Sequence, residues 1–210
     1  MMLAASLSVS SCQSGDDQGS ANPGKVREND CLGTLNEAAT KAAASLLGSE
    51  SYVTSSSRDG ATGAAKEIVS EYRTNGITGG NEVGICWIYR SKKDVSDLTI
   101  SSSFATEIPK SSTVASVFTP FKMGEIALAG NREAVVYMQC SSRRFETDGS
   151  QETFTLRVEA SNRYEPDGSP VELQEKNLTV AHSASLALAK ALDCKNNGGL
   201  TSEFRMPSRL

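Results

Sequence analysis

Residues 169–194, SPVELQEKNLTVAHSASLALAKALDC, decide the fold. Ser169-Pro170-Val171-Glu172 is a capping box, with proline at the first helical position, where its missing N–H is no loss. Val171, Gln174, Leu178, Ala181, Ser185, Leu188 and Leu192 then recur at alternating three- and four-residue steps. That spacing predicts one long helix with a single buried stripe, running to Asp193. A helix of this length needs a surface to lie on, and the residues before it supply strands.

Phe154-Thr155-Leu156-Arg157-Val158-Glu159 alternates without interruption, which puts Phe154, Leu156 and Val158 inward and Thr155, Arg157 and Glu159 toward water. Upstream, Ile126-Ala127-Leu128 and Ala134 to Cys140 flank Gly130-Asn131, a two-residue hairpin signal. Further back, Val83 to Tyr89 is apolar in every phase, as in a strand covered on both sides, and includes the only tryptophan, Trp87. Leu98 to Phe104 alternates and makes a hairpin with it across Ser91-Lys92-Lys93-Asp94. Residues 105–123, with Pro109 and Pro120, read as a connection.

A first helix precedes the strands. Thr34-Leu35-Asn36-Glu37 fits a capping box with Thr34 as N-cap, Leu35, Ala38, Ala39, Ala42 and Leu46 share a face, and Gly48 is the stop. The alanine-rich face suits close approach to a sheet. Residues 51–57 are an edge strand or a loop, and Thr62 to Arg73 is a short helix ended at Asn75-Gly76. The class is therefore α+β: an antiparallel sheet with an N-terminal and a long C-terminal helix on one face.

Five cysteines are present, at 12, 31, 86, 140 and 194. Cys31, Cys86, Cys140 and Cys194 are widely spaced, and the chain has one histidine, so paired zinc ligands are not expected and no metal or cofactor is predicted. Two disulfides are, with three connectivities open. Cys31–Cys86 and Cys140–Cys194 are favoured, because each joins a helix end to an apolar strand.

Val9-Ser10-Ser11-Cys12, behind the apolar run Leu3 to Ser8, resembles a bacterial lipobox, with Cys12 as the lipidated residue. Residues 1–11 then form a signal peptide truncated at its basic start. Residues 12–30 carry the anchor and a flexible tether, of which 13–30 span roughly 25 Å as a coil. Residues 31–194 are one disulfide-braced domain, and 195–210 a tail expected to be mobile. The whole pattern looks like that of uncharacterised secreted lipoproteins of actinobacteria, which implies an extracytoplasmic protein held to the outer face of the membrane through Cys12.

The net charge of −4 argues against a nucleic-acid partner. His182 would have to serve any histidine-based chemistry, but its neighbours on the helix diverge from it, and a structural role is expected. The cluster Gly76 to Gly84 opens a strand rather than a helix, so it is not a phosphate cradle. Glu165 and Asp167 fall in a Pro-Gly turn, and Asn177-Leu178-Thr179 is a sequon placed mid-helix. Lys92-Lys93 and Arg143-Arg144 solubilise turns. The expected function is that of an interaction module in the cell envelope, binding a protein or cell-wall ligand. The alternative is an envelope hydrolase whose site assembles only on folding.

Overall fold

A computed structural model describes residues 30–56, 59–77, 81–90, 95–146 and 152–210. The lipobox, Cys12, almost all of the tether and the Lys92-Lys93 turn lie outside the described residues. Three helices, α1 (Glu37–Leu47), α2 (Gly60–Asn75) and α3 (Pro170–Ala191), join seven strands: β1 (Val53–Ser56), β2 (Val83–Tyr89), β3 (Leu98–Ala105), β4 (Thr119–Phe121), β5 (Ile126–Ala129), β6 (Glu133–Ser141) and β7 (Thr153–Asn162). All pair antiparallel in one sheet of order β1-β2-β3-β7-β6-β5-β4. The α+β class predicted above is the one observed. No helix among the described residues is long and apolar enough to cross a membrane.

The two halves of the chain meet where β3 pairs with β7. Cys31, just before α1, is bonded to Cys86 in β2, and Cys140 in β6 to Cys194 just after α3. Each bridge ties a helix end to a strand of its own half, as the favoured connectivity requires. Both sulfur pairs are buried.

The capping box of α3 forms as predicted, with Ser169 Oγ accepting from Glu172 N and the Glu172 carboxylate accepting from Ser169 N. Its surroundings differ from the single stripe expected. Val171 is 56% exposed, whereas residues 177–186 are buried on every side of the helix. The sheet lies under α3 and α1 and α2 pack beside it, while the C-terminal segment covers what remains. Four of the five side chains at 181–185 (Ala-His-Ser-Ala-Ser) are small, which lets so many elements approach.

The tail expected to be mobile is docked. Gly198 and Leu200 are buried, Phe204 sits edge-on to the His182 ring, and the last residues pair with β4 through Lys122 N to Ser208 O and Leu210 N to Pro120 O. Pairing of its backbone with β4 and burial of its few apolar groups offset the ordering entropy that its composition suggested would win. The folded domain thus extends to Leu210.

Thr34 is not the N-cap of α1. Asn36 is, its Oδ1 accepting from Ala39 N at 2.9 Å. Thr34 is engaged elsewhere: its Oγ1 accepts from Ala61 N and its carbonyl from Ser183 Oγ, joining α1, α2 and α3. A side chain at Gly60 would collide with Cys31 O and Thr34 Oγ1 at this junction, and its φ is positive. The alanine face of α1 makes its closest packing against α3 rather than the sheet. Gly48 ends α1 in the left-handed conformation, as predicted.

β2 proves to be covered on one face, not two. A register shift between Gly84 and Cys86 turns both Ile85 and Cys86 into the core, while Trp87 and Tyr89 stay half-buried. Trp87 lies over Gly84, where a Cβ would collide with its ring, so the tryptophan is a surface plate rather than core filling. The β5–β6 turn is also displaced by one residue. Gly130 N bonds Glu133 O, leaving Asn131-Arg132 as the two turn residues.

Candidate functional site

The sheet face away from α3 carries the first polar surface. Ser103, Arg157, Tyr137 and Ile126 form one cross-strand row, and Ser101, Glu159, Val135 and Leu128 the next. Val114 and Phe118, from the 105–118 connection, cover the apolar end of these rows. At the other end Ser101 Oγ donates to Glu82, and Arg157 pairs with Glu159. Burial pushes the Glu159 carboxyl up, helped by the Glu133 and Glu82 carboxylates and opposed by Arg157. An open groove of about 510 Å³ runs beside it, lined by Glu82, Ser103, Glu107, Tyr137 and Arg157.

A more enclosed recess of about 230 Å³ lies on the helix side, at the C-terminal end of α1. Gly48, Arg90, Asp97, Asn162, Glu165 and Asp167 line it, with Leu46, Leu47 and Tyr164. Arg90 is held from the side: its Nε and Nη2 donate to Asp97 Oδ1 at 3.1 and 3.0 Å, and its backbone N to Asp97 Oδ2 at 2.9 Å. Glu165 accepts from Asn131 Nδ2 at 2.8 Å. The two carboxylates of the Pro-Gly turn are therefore brought to a cavity. They are exposed, and they form no buried acid–base pair.

Asn162 is the pivot. It occupies the last inward position of β7, after Phe154, Leu156, Val158 and Ala160, and is 2% exposed. Its Nδ2 donates to Arg132 O and to Asn177 Oδ1, both at 2.8 Å, and its Oδ1 has no hydrogen-bond partner. Asn177, fully buried on α3, donates in turn to Gly130 O and Asn131 O. The sequon asparagine is thus a packed structural hub. A polar residue in the apolar phase of an otherwise perfect strand is the signal in the sequence that marks Asn162.

His182 has the structural setting expected of it. It is 1% exposed, Nε2 donates to Thr201 O at 3.0 Å in the neutral tautomer this bond implies, and Nδ1 is buried without a partner. Burial pushes its imidazole down, against the opposing pull of the Thr201 carbonyl. No group of three or more His, Cys, Asp or Glu among the described residues could hold a metal ion. Arg144 of the predicted surface pair bonds Asp193 at 3.0 Å and fastens the end of α3.

The chain matches no protein-family model, no curated protein and no solved structure. What its own geometry defines is a two-disulfide α+β domain with a polar recess between a helix end and a strand end. The disulfides fit an extracellular location.

Proposed function

We propose that this protein is a lipid-anchored binding module of the cell envelope, fastened through Cys12 and presenting its folded domain outside the cytoplasm. The observation that carries the proposal is the cysteine pairing. Four of five cysteines close on one another, and the one left over is the lipobox cysteine, whose thiol must be free to receive a lipid. The recess at the end of α1 is the binding site that best suits such a module, since it converges polar groups on a small enclosed volume. A hydrolase would have to work without its only histidine within reach, because His182 is sealed beneath Phe204 and Thr201.

The test is detergent phase partitioning after expression in a Gram-positive host behind a complete leader. The parent is expected in the detergent phase and Cys12→Ala in the aqueous phase. A Cys12→Ala protein that still pellets with membranes would overturn the anchor.

A further inference from the structure

We propose that the recess at the C-terminal end of α1 binds an organic cation, a primary ammonium or guanidinium group carried on a small molecule or on a basic side chain. This deepens the binding-module reading and rests on it. Three features of different origin agree on the sign of the ligand.

The first is the helix end. The carbonyls of Ala44 and Ser45 accept from Gly48 N and Ser49 N, so the end that faces the recess is made by Leu46 and Leu47, which line it. The last turn of α1 contains no basic side chain, and the negative end of the helix dipole lies at the recess, where the one lining cation, Arg90, is bound to Asp97. The second is charge. Asp97 is matched by Arg90, whereas among the described residues neither Glu165 nor Asp167 is in an ion pair. Two carboxylates are left over at the rim. The third is Asn162, which lines the recess: its amide nitrogen is fully engaged, and its buried Oδ1 has no partner among the described residues. Such an acceptor calls for an N–H donor.

An anion would need Arg90, whose guanidinium already donates two hydrogen bonds to Asp97, while facing the negative end of α1. A metal ion would need clustered oxygen ligands, which these dispersed carboxylates do not provide. An ammonium or guanidinium group has several N–H donors spread in space and suits scattered acceptors. The volume of about 230 Å³ falls below the range of about 300–1,000 Å³ usual for drug-sized ligands, so the site suits the end of a side chain or a short amine.

The test is a titration of the full-length, disulfide-bonded, 15N-labelled chain followed by amide NMR. The probes are cadaverine, a blocked Gly-Lys-Gly peptide and Nα-acetylglutamate. The two ammonium probes should shift Gly48, Asp167 and the Asn162 side-chain amide along one saturable curve, with Kd of about 1 mM or tighter. Tighter binding of the peptide would point to a protein ligand, tighter binding of cadaverine to a free amine, and both support the proposal. Glu165→Gln with Asp167→Asn should weaken binding roughly tenfold, and Glu107→Gln, in the groove on the other face, should not. Ser45→Lys places a resident ammonium at the C-terminal end of α1 and should abolish the response while leaving the fold intact, so the outcome does not depend on one variant. The proposal falls if no saturable shift occurs, if either pocket variant binds like the parent, or if acetylglutamate is the probe that binds. Detergent partitioning reads Cys12 alone, so failure of the anchor and failure of the ligand class are told apart.

Discussion

Asn177→Ala probes the hydrogen-bonded hub that joins α3 to the β5–β6 turn and to the end of β7. The wild-type side chain is fully buried and makes three bonds: to Gly130 O at 3.1 Å, to Asn131 O at 3.0 Å, and from Asn162 Nδ2 at 2.8 Å. Truncation leaves the Gly130 carbonyl without this partner in a buried site, removes one of two bonds from Asn162 Nδ2, and exposes Asn131 O to partial compensation by water. With about 1–3 kcal/mol for each buried group left unsatisfied, the expected loss is about 2–4 kcal/mol. In a domain of this size each kcal/mol moves the melting midpoint by about 2–4 °C, so a fall of roughly 5–15 °C is expected. Thermal melting by circular dichroism under non-reducing conditions measures it, with Glu175→Ala on the exposed side of the same helix as a control that should stay within about 0.5 kcal/mol. Asn177→Asp should be no better than Asn177→Ala, because it keeps the acceptor but buries a charge and loses both donated bonds. A melting curve for Asn177→Ala that overlays the parent would show that this hub does not hold the turn and the helix together.

Two further perturbations address α3. His182 has its folded pKa pushed below the unfolded value of about 6.5 by burial. The unfolded chain therefore takes up the proton first, and the stability from neutral His182 is whole above about pH 6.5 and declines as pH falls toward the folded pKa. Melts at pH 7.5 and pH 5 should show a loss in the parent that is smaller in His182→Gln; equal losses would mean that the ring does not protonate on unfolding. Leu188→Asp places a carboxylate at a fully buried position and should cost several kcal/mol, leaving little folded protein at 37 °C by the same melts. Unchanged stability there would contradict the position of α3 on the sheet.

Much of this molecule is local, and what is local could be read directly. The Ser169–Glu172 cap, the alternation of β7, the stop at Gly48 and the strand limits around residues 83–89 and 98–105 each follow from neighbours within a few positions of one another. The disulfide pairing was legible for a related reason: each cysteine sits next to a helix end or in a strand whose existence is itself locally encoded. The recess was not. Its parts come from the end of α1, the β2–β3 ends, the last residue of β7 and the loop before α3. Only Asn162, a polar side chain in an apolar phase, left a trace in the chain.

What the sequence by itself determined was most of the elements, the α+β class and a favoured pairing of the cysteines, because helical and strand periods and capping act over a few residues; β4 (Thr119–Phe121), inside the stretch read as a connection, was too short to show a period. Tertiary structure alone decided that Thr34 would bind Ala61 and Ser183 instead of capping α1, and that the middle of α3, residues 177–186, would be enclosed on all sides. It also decided that residues 195–210 would close over His182. Each of these turns on contacts between elements far apart in the chain. Such contacts have no periodicity, and their worth depends on what the rest of the fold has already buried.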